Sequence, residues 1–446
     1  MMAAPAFFRG EWLEPGDPGY DESGLPFNLL REQYRPRAIA RCLGESDVIT
    51  ALATARTEGL EVAVRATGMS LPGFSTTEGL LIDLSLMRSV RIDPIERTAW
   101  VGGGVNGGDL QIEGHRYGLA AATGALSTAG MGLLLGGGLG NMSSRVGYSS
   151  DSILAVELVT ASGESVVASA DVNPDLFWAV RGAGANFGVV TALKLQLYEV
   201  PPVLYAGAVT WERPRMREAL ENLRRMAPSI SDDLDLLGLA MADEFQLWIC
   251  HIGTPEEARA EVGRLLADCP PDREDWTPMS FRDLTFHYDD EFPPQRVFAQ
   301  EETFAELTDE LIDLVLEASA VPVPAGSAAL RQIEVGIRNG ALCRAPEVPS
   351  VVHPSAVSHG WNVLPGTWWT DAAEDGGHIE WLHDTIGRMR GAGAQGGAIV
   401  PSMVGIPSSE ELVERAYGDR LPRLRELKHQ WDPENVFRAN LNVRPA

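Results

Sequence analysis

Gly124-Ala125-Leu126-Ser127-Thr128-Ala129-Gly130-Met131-Gly132, taken up again at Gly136-Gly137-Gly138-Leu139-Gly140-Asn141, is a stretch that neither helix nor strand propensity explains. Each glycine costs about 0.5–1 kcal/mol against alanine inside a regular element. The main chain is kept bare here because something approaches it closely. A flat polycyclic ligand lying on backbone amides requires such bareness, and so does the close packing of loops on one another. Two flanking stretches repeat the texture. Arg65-Ala66-Thr67-Gly68-Met69-Ser70 follows the apolar run Val62-Ala63-Val64. Its small residues let N–H groups converge into a nest of the kind that holds a pyrophosphate, with a serine hydroxyl as a further donor. A tight turn between strands is the other reading. Arg181-Gly182-Ala183-Gly184-Ala185-Asn186-Phe187-Gly188-Val189-Val190-Thr191 repeats the pattern ahead of a strand. None of the three is a strand-GxGxxG-helix fingerprint or a loop ending in Gly-Lys-Ser/Thr, which disfavours a two-domain NAD dehydrogenase and an ATPase.

Outward from these loops, short β-branched runs read as strands: Glu61 to Arg65, Leu80 to Leu84, Thr98 to Val101, Ala155 to Val159 and Ser165 to Val167. A helix from Val48 to Thr57 is expected, with Ser46-Asp47 as N-cap and Gly59 as terminator. Beyond Pro201-Pro202 glycine thins, and amphipathic stretches appear at Arg215 to Met226, Pro255 to Asp268 and Thr303 to Ser319, so the proline pair marks a domain boundary. Glu410 to Trp431 is strongly helical. The middle segment holds Trp211, Trp248, Trp276, Trp361, Trp368 and Trp369, which suit either a substrate-facing sheet or ordinary core packing. The class is α+β.

At 446 residues the chain makes two or three domains at the usual ~100–200 residues each. Lys+Arg 36 against Asp+Glu 62 leaves a net charge of -26, a field that repels phosphate backbones and anionic lipid, so neither nucleic acid nor membrane is an expected partner. Cys42, Cys250, Cys269 and Cys343 are far apart and form no C-x-x-C pair, and the 8 histidines show no H-E-x-x-H spacing. No metal site is expected, and a reducing cytoplasm suits the cysteines. No apolar run reaches the roughly 18–20 residues of a membrane span.

Taken in order, these segments resemble the FAD-linked oxidases of the vanillyl-alcohol oxidase fold, with a PCMH-type FAD domain, and most closely their berberine-bridge-enzyme-like bacterial members. The resemblance rests on Val64 to Ser70, Gly73-Phe74-Ser75, Leu81 to Ser85, Gly124 to Gly140, Asp175 to Gly182, Asn186 to Thr191 and Asp432-Pro433-Glu434-Asn435-Val436-Phe437-Arg438-Ala439-Asn440-Leu441-Asn442. It implies an FAD domain built from residues 1–200 and 399–446, enclosing a substrate domain at 201–398 whose antiparallel sheet roofs the flavin. The pyrophosphate would sit on Arg65, Ala66, Thr67, Gly68, Met69 and Ser70. The ring would sit on Gly124, Leu126, Ser127, Thr128, Gly130, Gly132, Gly137 and Gly140, and the adenine end near Gly188 and Val190, with Asn440 and Asn442 in the tail that closes over the cofactor.

The chain departs from that family where FAD is usually tethered: the histidine position is Met69 and the cysteine position is Leu126. A thioether and an alkyl chain offer no ionisable proton, so non-covalent FAD is expected. The family's tyrosines are also replaced, by Leu139 and by residues near Pro401-Ser402. A proton acceptor would then come from elsewhere, with Tyr148, Tyr417, Ser402, His287, Tyr288, Glu334, His353 and His359 as candidates. The resemblance implies oxidation of a mostly apolar secondary metabolite by hydride transfer to flavin N5 and reoxidation by dioxygen. A non-redox cyclase that keeps FAD as structure, and a flavin- or ligand-binding protein without catalysis, fit the same losses.

Overall fold

The computed structural model describes residues 4–352, 359–395 and 409–446. Three sheets organise them. In the first, Ala38–Arg41, Leu80–Asp83 and Val62–Arg65 pair in parallel, with Glu11–Leu13 antiparallel at the edge. Parallel strands covered on both faces need continuous apolar runs. Leu80, Leu81 and Ile82 supply one, all fully buried. The helix Glu45–Glu58 covers this sheet through Val48, Ala51, Leu52 and Ala55. Gly59 ends it in the left-handed conformation, but the helix starts earlier than Ser46-Asp47 predicts. The Asp47 carboxylate instead accepts backbone N–H groups of Leu43 and Arg9, both at 2.9 Å, and ties the N-terminal segment to the helix.

The second sheet runs Val90–Asp93, Thr98–Gly102, Val189–Glu199, Ile153–Val159, Ser165–Ser169, with Leu119–Ala121 on the far end of the central strand. Pro201-Pro202 separates its long strand from Leu204–Glu212, the first strand of the third sheet. That sheet is antiparallel and eight-stranded: Arg273–Met279, Leu204–Glu212, Glu244–His251, Leu234–Ala240, Leu330–Arg338, Gly360–Trp369 and Arg296–Ala299, with Glu302–Phe304 also on Gly360–Trp369. Its strands alternate strictly. Phe245, Leu247, Ile333, Val335, Trp361 and Val363 face the helices Met216–Met226, Pro255–Leu266, Asp309–Ser319 and Asp375–Gly391. The residues between them form the other face, which carries the site.

Two further segments are divided more finely than their sequence pattern suggests. Thr303 to Ser319 begins as the strand Glu302–Phe304, and the helix starts only at Asp309, where the Thr308 hydroxyl accepts the Leu311 N–H. Glu410 to Trp431 is two helices, Glu410–Tyr417 and Leu421–Trp431, because Gly418 is left-handed and Pro422 cannot donate within a continuing helix. Both pack on the first half of the chain: Leu412, Tyr417, Leu424 and Val443 share a core with Val101, Leu158, Phe187 and Leu193. Lys428 and Asp432, fully buried, pair at 2.6 Å. Lys428 also donates to the Asn186 and Phe437 carbonyls, so one ammonium pins the third glycine-rich loop to the C-terminal tail.

Candidate functional site

A cavity of about 480 Å³ lies between the glycine-rich loops and the open face of the eight-stranded sheet. Its floor comprises Ala66, Thr67, Gly68, Met69 and Ser70, then Gly124, Leu126, Gly130, Gly132 and Gly140, then Gly188 and Val190, then Asn440. Two of these glycines, two residues apart, differ in what a side chain would meet. A Cβ on Gly130 would lie 2.5 Å from Thr67 Oγ1, so the first two loops touch only because that carbon is missing. A Cβ on Gly132, which lines the cavity, would meet nothing within 4 Å. The second case is a cradle for a ligand. Asn440 adds a buried Oδ1 with no partner, while its Nδ2 donates to the Ala185 carbonyl at 2.7 Å. Bare main chain over one wall, with an orphaned acceptor at its rim, fits an isoalloxazine dinucleotide.

The other residues expected to hold the cofactor stand behind this wall. Arg65 is buried, its guanidinium on the Ser75 carbonyl at 3.0 and 3.1 Å and 3.9 Å from Asp83, so it shapes the first loop. Ser127 donates its N–H and Oγ–H to Asp289, and Thr128 is exposed with its hydroxyl 3.2 Å from Met69 Sδ. Gly137 accepts the Ser150 N–H on its carbonyl at 2.8 Å. Asn442 holds a buried Oδ1 without a partner, outside the cavity wall.

The roof carries the titratable groups. Glu334 projects from Leu330–Arg338 into the cavity and accepts the Gln332 amide at 3.2 Å. Burial pushes its carboxyl up to about 7, against the pull of that hydrogen bond. Asp235, on Leu234–Ala240, also lines the cavity and is pushed up to about 7 by burial, although Ser144 bonds pull it down. Sequence reasoning missed Asp235. Its signal was a carboxylate inside an otherwise apolar strand. Trp248 and Tyr288 stack at 3.9 Å and 7°, and Phe292 meets Trp368 edge-on at 6.4 Å, giving the cavity an aromatic wall.

Tyr417 lines the cavity with its phenol 3.5 Å from the Gly182 carbonyl, and Tyr148 is buried outside the wall; burial raises both phenols above their ordinary value. His287 and His359 are exposed and outside the wall. Ser402 and His353 lie outside the described residues. Cys250 lines the roof, and burial and Asp235 keep its thiol protonated. Among the described residues, no three His, Cys, Asp or Glu side chains could hold a metal ion, and no helix is long and apolar enough to cross a membrane.

Raised carboxyl pKa values carry a stability cost. A group held above its unfolded value contributes stability that is present at low pH and lost as pH rises through the folded value, here about 7. In protein freed of FAD, Glu334→Gln is therefore expected to gain melting temperature over the parent between about pH 5 and about pH 8. A difference that stays constant across that range would show that Glu334 is not desolvated.

Residues 36–169 match the family model for the FAD binding domain, and residues 394–444 match the berberine and berberine-like model. The chain is 39% identical over 275 residues to (R)-6-hydroxynicotine oxidase of Paenarthrobacter nicotinovorans, an alignment covering 59% of each. It is 26% identical to the FAD-linked oxidoreductase pgmH of Aspergillus terreus over 90% of this chain and 87% of that one. Among solved structures, 6-hydroxy-D-nicotine oxidase from Arthrobacter nicotinovorans superposes with a TM-score of 0.89 at 29% identity over 100% of both chains. A xylooligosaccharide oxidase from Myceliophthora thermophila, at 20% identity and TM-score 0.88 over 98% of this chain and 97% of that one, shares the fold.

Proposed function

Since the chain belongs to the berberine-bridge-enzyme-like FAD-linked oxidoreductases, we propose that it oxidises a small, mostly apolar and aromatic molecule, with Glu334 as proton acceptor and FAD held without a covalent bond. FAD, when bound, supplies the two-electron acceptor, which dioxygen then reoxidises. The observation that carries the reading is a carboxyl poised near 7, in a cavity whose opposite wall is bare main chain. Trp248, Tyr288, Phe292 and Trp368 hold the substrate's rings in a mostly apolar surround. Glu334 takes the proton that the substrate loses as its electron pair leaves. On this reading residues 1–200 and 399–446 hold the cofactor, and residues 201–398 hold the substrate.

Anaerobic mixing with a panel of aromatic amines and alcohols, headed by 6-hydroxynicotine, tests the oxidation. Bleaching of the flavin band supports it, and product formed while the flavin stays yellow overturns it. The mode of attachment has its own test. Met69 and Leu126 are the cavity residues where the family places its tethers, and neither forms a bond to a flavin carbon. Acid precipitation is expected to leave all flavin absorbance in the supernatant, whereas flavin in the pellet would establish a tether.

A further inference from the structure

The roof holds a second carboxyl that proton transfer does not use. Leu239 pairs with Glu334 and Leu237 with Gly336 across adjacent strands, and Asp235 follows on the same face. Four residues of extended chain put it about 13 Å from Glu334 along the strand direction. Between the two acids lies Gly336, where the roof has no side chain, opposite Leu237 on one neighbour and Asn362 on the other. The roof therefore has a gap in the middle, between Leu237 and Asn362, with Asp235 toward one end and Glu334 toward the other; Glu301 lines the same cavity.

The two oxygens of Asp235 differ. Oδ1 accepts the Ser144 N–H and Oγ–H, both at 2.9 Å. Ser144 Oγ is also 2.7 Å from the Asn339 amide oxygen, but a hydroxyl has one proton to give. Turning the Asn339 amide presents its otherwise unpartnered Nδ2 to Ser144 and leaves the hydroxyl proton for Asp235. Oδ2 is buried with no partner. Among the described residues no side-chain cation pairs with Asp235, since Arg145 reaches Asp233 at 3.5 Å and Arg344 reaches Asp232 at 2.8 Å. A carboxylate with one satisfied oxygen and one buried, unpartnered oxygen, on a residue that lines the cavity, is completed best by a charge-assisted N–H donor. The overall charge of -26 draws cations toward the molecule as well.

We propose that Asp235 is a specificity-determining residue that anchors a protonated amine at the substrate end remote from Glu334, so that the substrates are aryl-bearing amines rather than neutral alcohols or sugars. This rests on the oxidation described above and names its substrate class. The rival role for Asp235 is structural, a tie from the roof to the helix Ser143–Val146. Asp235→Asn separates the two, because the asparagine oxygen accepts the same Ser144 bonds while the charge is gone.

The probes are 4-phenylbutylamine and its neutral isostere 4-phenylbutan-1-ol, titrated by calorimetry into the FAD-loaded enzyme at about pH 8, where the amine is protonated. The parent is expected to bind the amine at least about 10-fold more tightly, Asp235→Asn to bring the ratio to about one, and Glu334→Gln to leave it as in the parent. A ratio near one in the parent overturns the proposal, as do failure of the amine to bind, an unchanged ratio in Asp235→Asn, and a ratio that collapses in Glu334→Gln instead. Flavin bleaching is scored separately. Selective amine binding without bleaching keeps the anchor and refutes the oxidation, whereas bleaching without selectivity does the reverse.

Discussion

Glu334→Gln is expected to slow anaerobic reduction of the flavin by about 10²–10⁴-fold, the usual worth of a positioned general base. Glutamine preserves the volume and can keep a hydrogen bond to Gln332, so substrate affinity is expected to stay within a few-fold and the loss to fall on the rate. The pH profile is the sharper readout. A base works ionised, so the parent's rate is expected to climb with pH and level off above about 7, where Glu334 has lost its proton. Glu334→Gln removes that step. Asp235 titrates in the same range, so Asp235→Asn is the control: its rate step near pH 7 is expected to persist. A Glu334→Gln enzyme that keeps the parent's rate and pH step would assign the proton to another group.

Glu334 was legible in the sequence only as one polar residue among several, and Asp235 only as a carboxylate in an apolar run, for a common reason. Both gain their character from strand pairing. Asp235 takes its partner from Ser144, 91 residues away, and its exposure to the cavity from the alternation of a strand whose register only the folded sheet fixes. The glycine-rich loops were readable because they meet a backbone demand, and a missing Cβ is visible in the sequence itself. Even there, the sequence did not separate residues on the wall from those behind it. The resemblance places Arg65 among the pyrophosphate-loop residues, yet its guanidinium goes to Ser75 and lies 3.9 Å from Asp83. Glu410 to Trp431 is helical as expected, and the break at Gly418 that divides it needed the backbone conformation to be seen. The missing phenols at Leu139 and near Pro401 left open whether the chain had given up proton transfer. On the proposed reading, one carboxyl of the facing sheet, Glu334, takes that role instead.

Gly132→Leu is expected to produce a folded, colourless protein. Gly132 sits in the short helix Met131–Leu135, where its φ is not left-handed, so an L side chain is unstrained there and leucine is the better helix former by about 0.8–1 kcal/mol. Nothing in the protein lies within 4 Å of the added Cβ. Melting temperature without FAD is therefore expected to equal or exceed that of the parent, while the isobutyl group occupies the space where a ring would lie on main chain. FAD content after purification is expected to fall below about a tenth of the parent's, with Gly132→Ala intermediate, because a methyl group already disturbs close packing. Gly130→Leu gives the opposite pattern: its Cβ would meet Thr67 Oγ1 at 2.5 Å, so the loops separate and the fold itself loses stability. The contrast between two glycines two residues apart distinguishes a cradle for a ligand from packing of loops on each other. A Gly132→Leu protein that purifies yellow, with the parent's FAD content, would place the flavin elsewhere and remove the basis for assigning the roof carboxyls to its substrate.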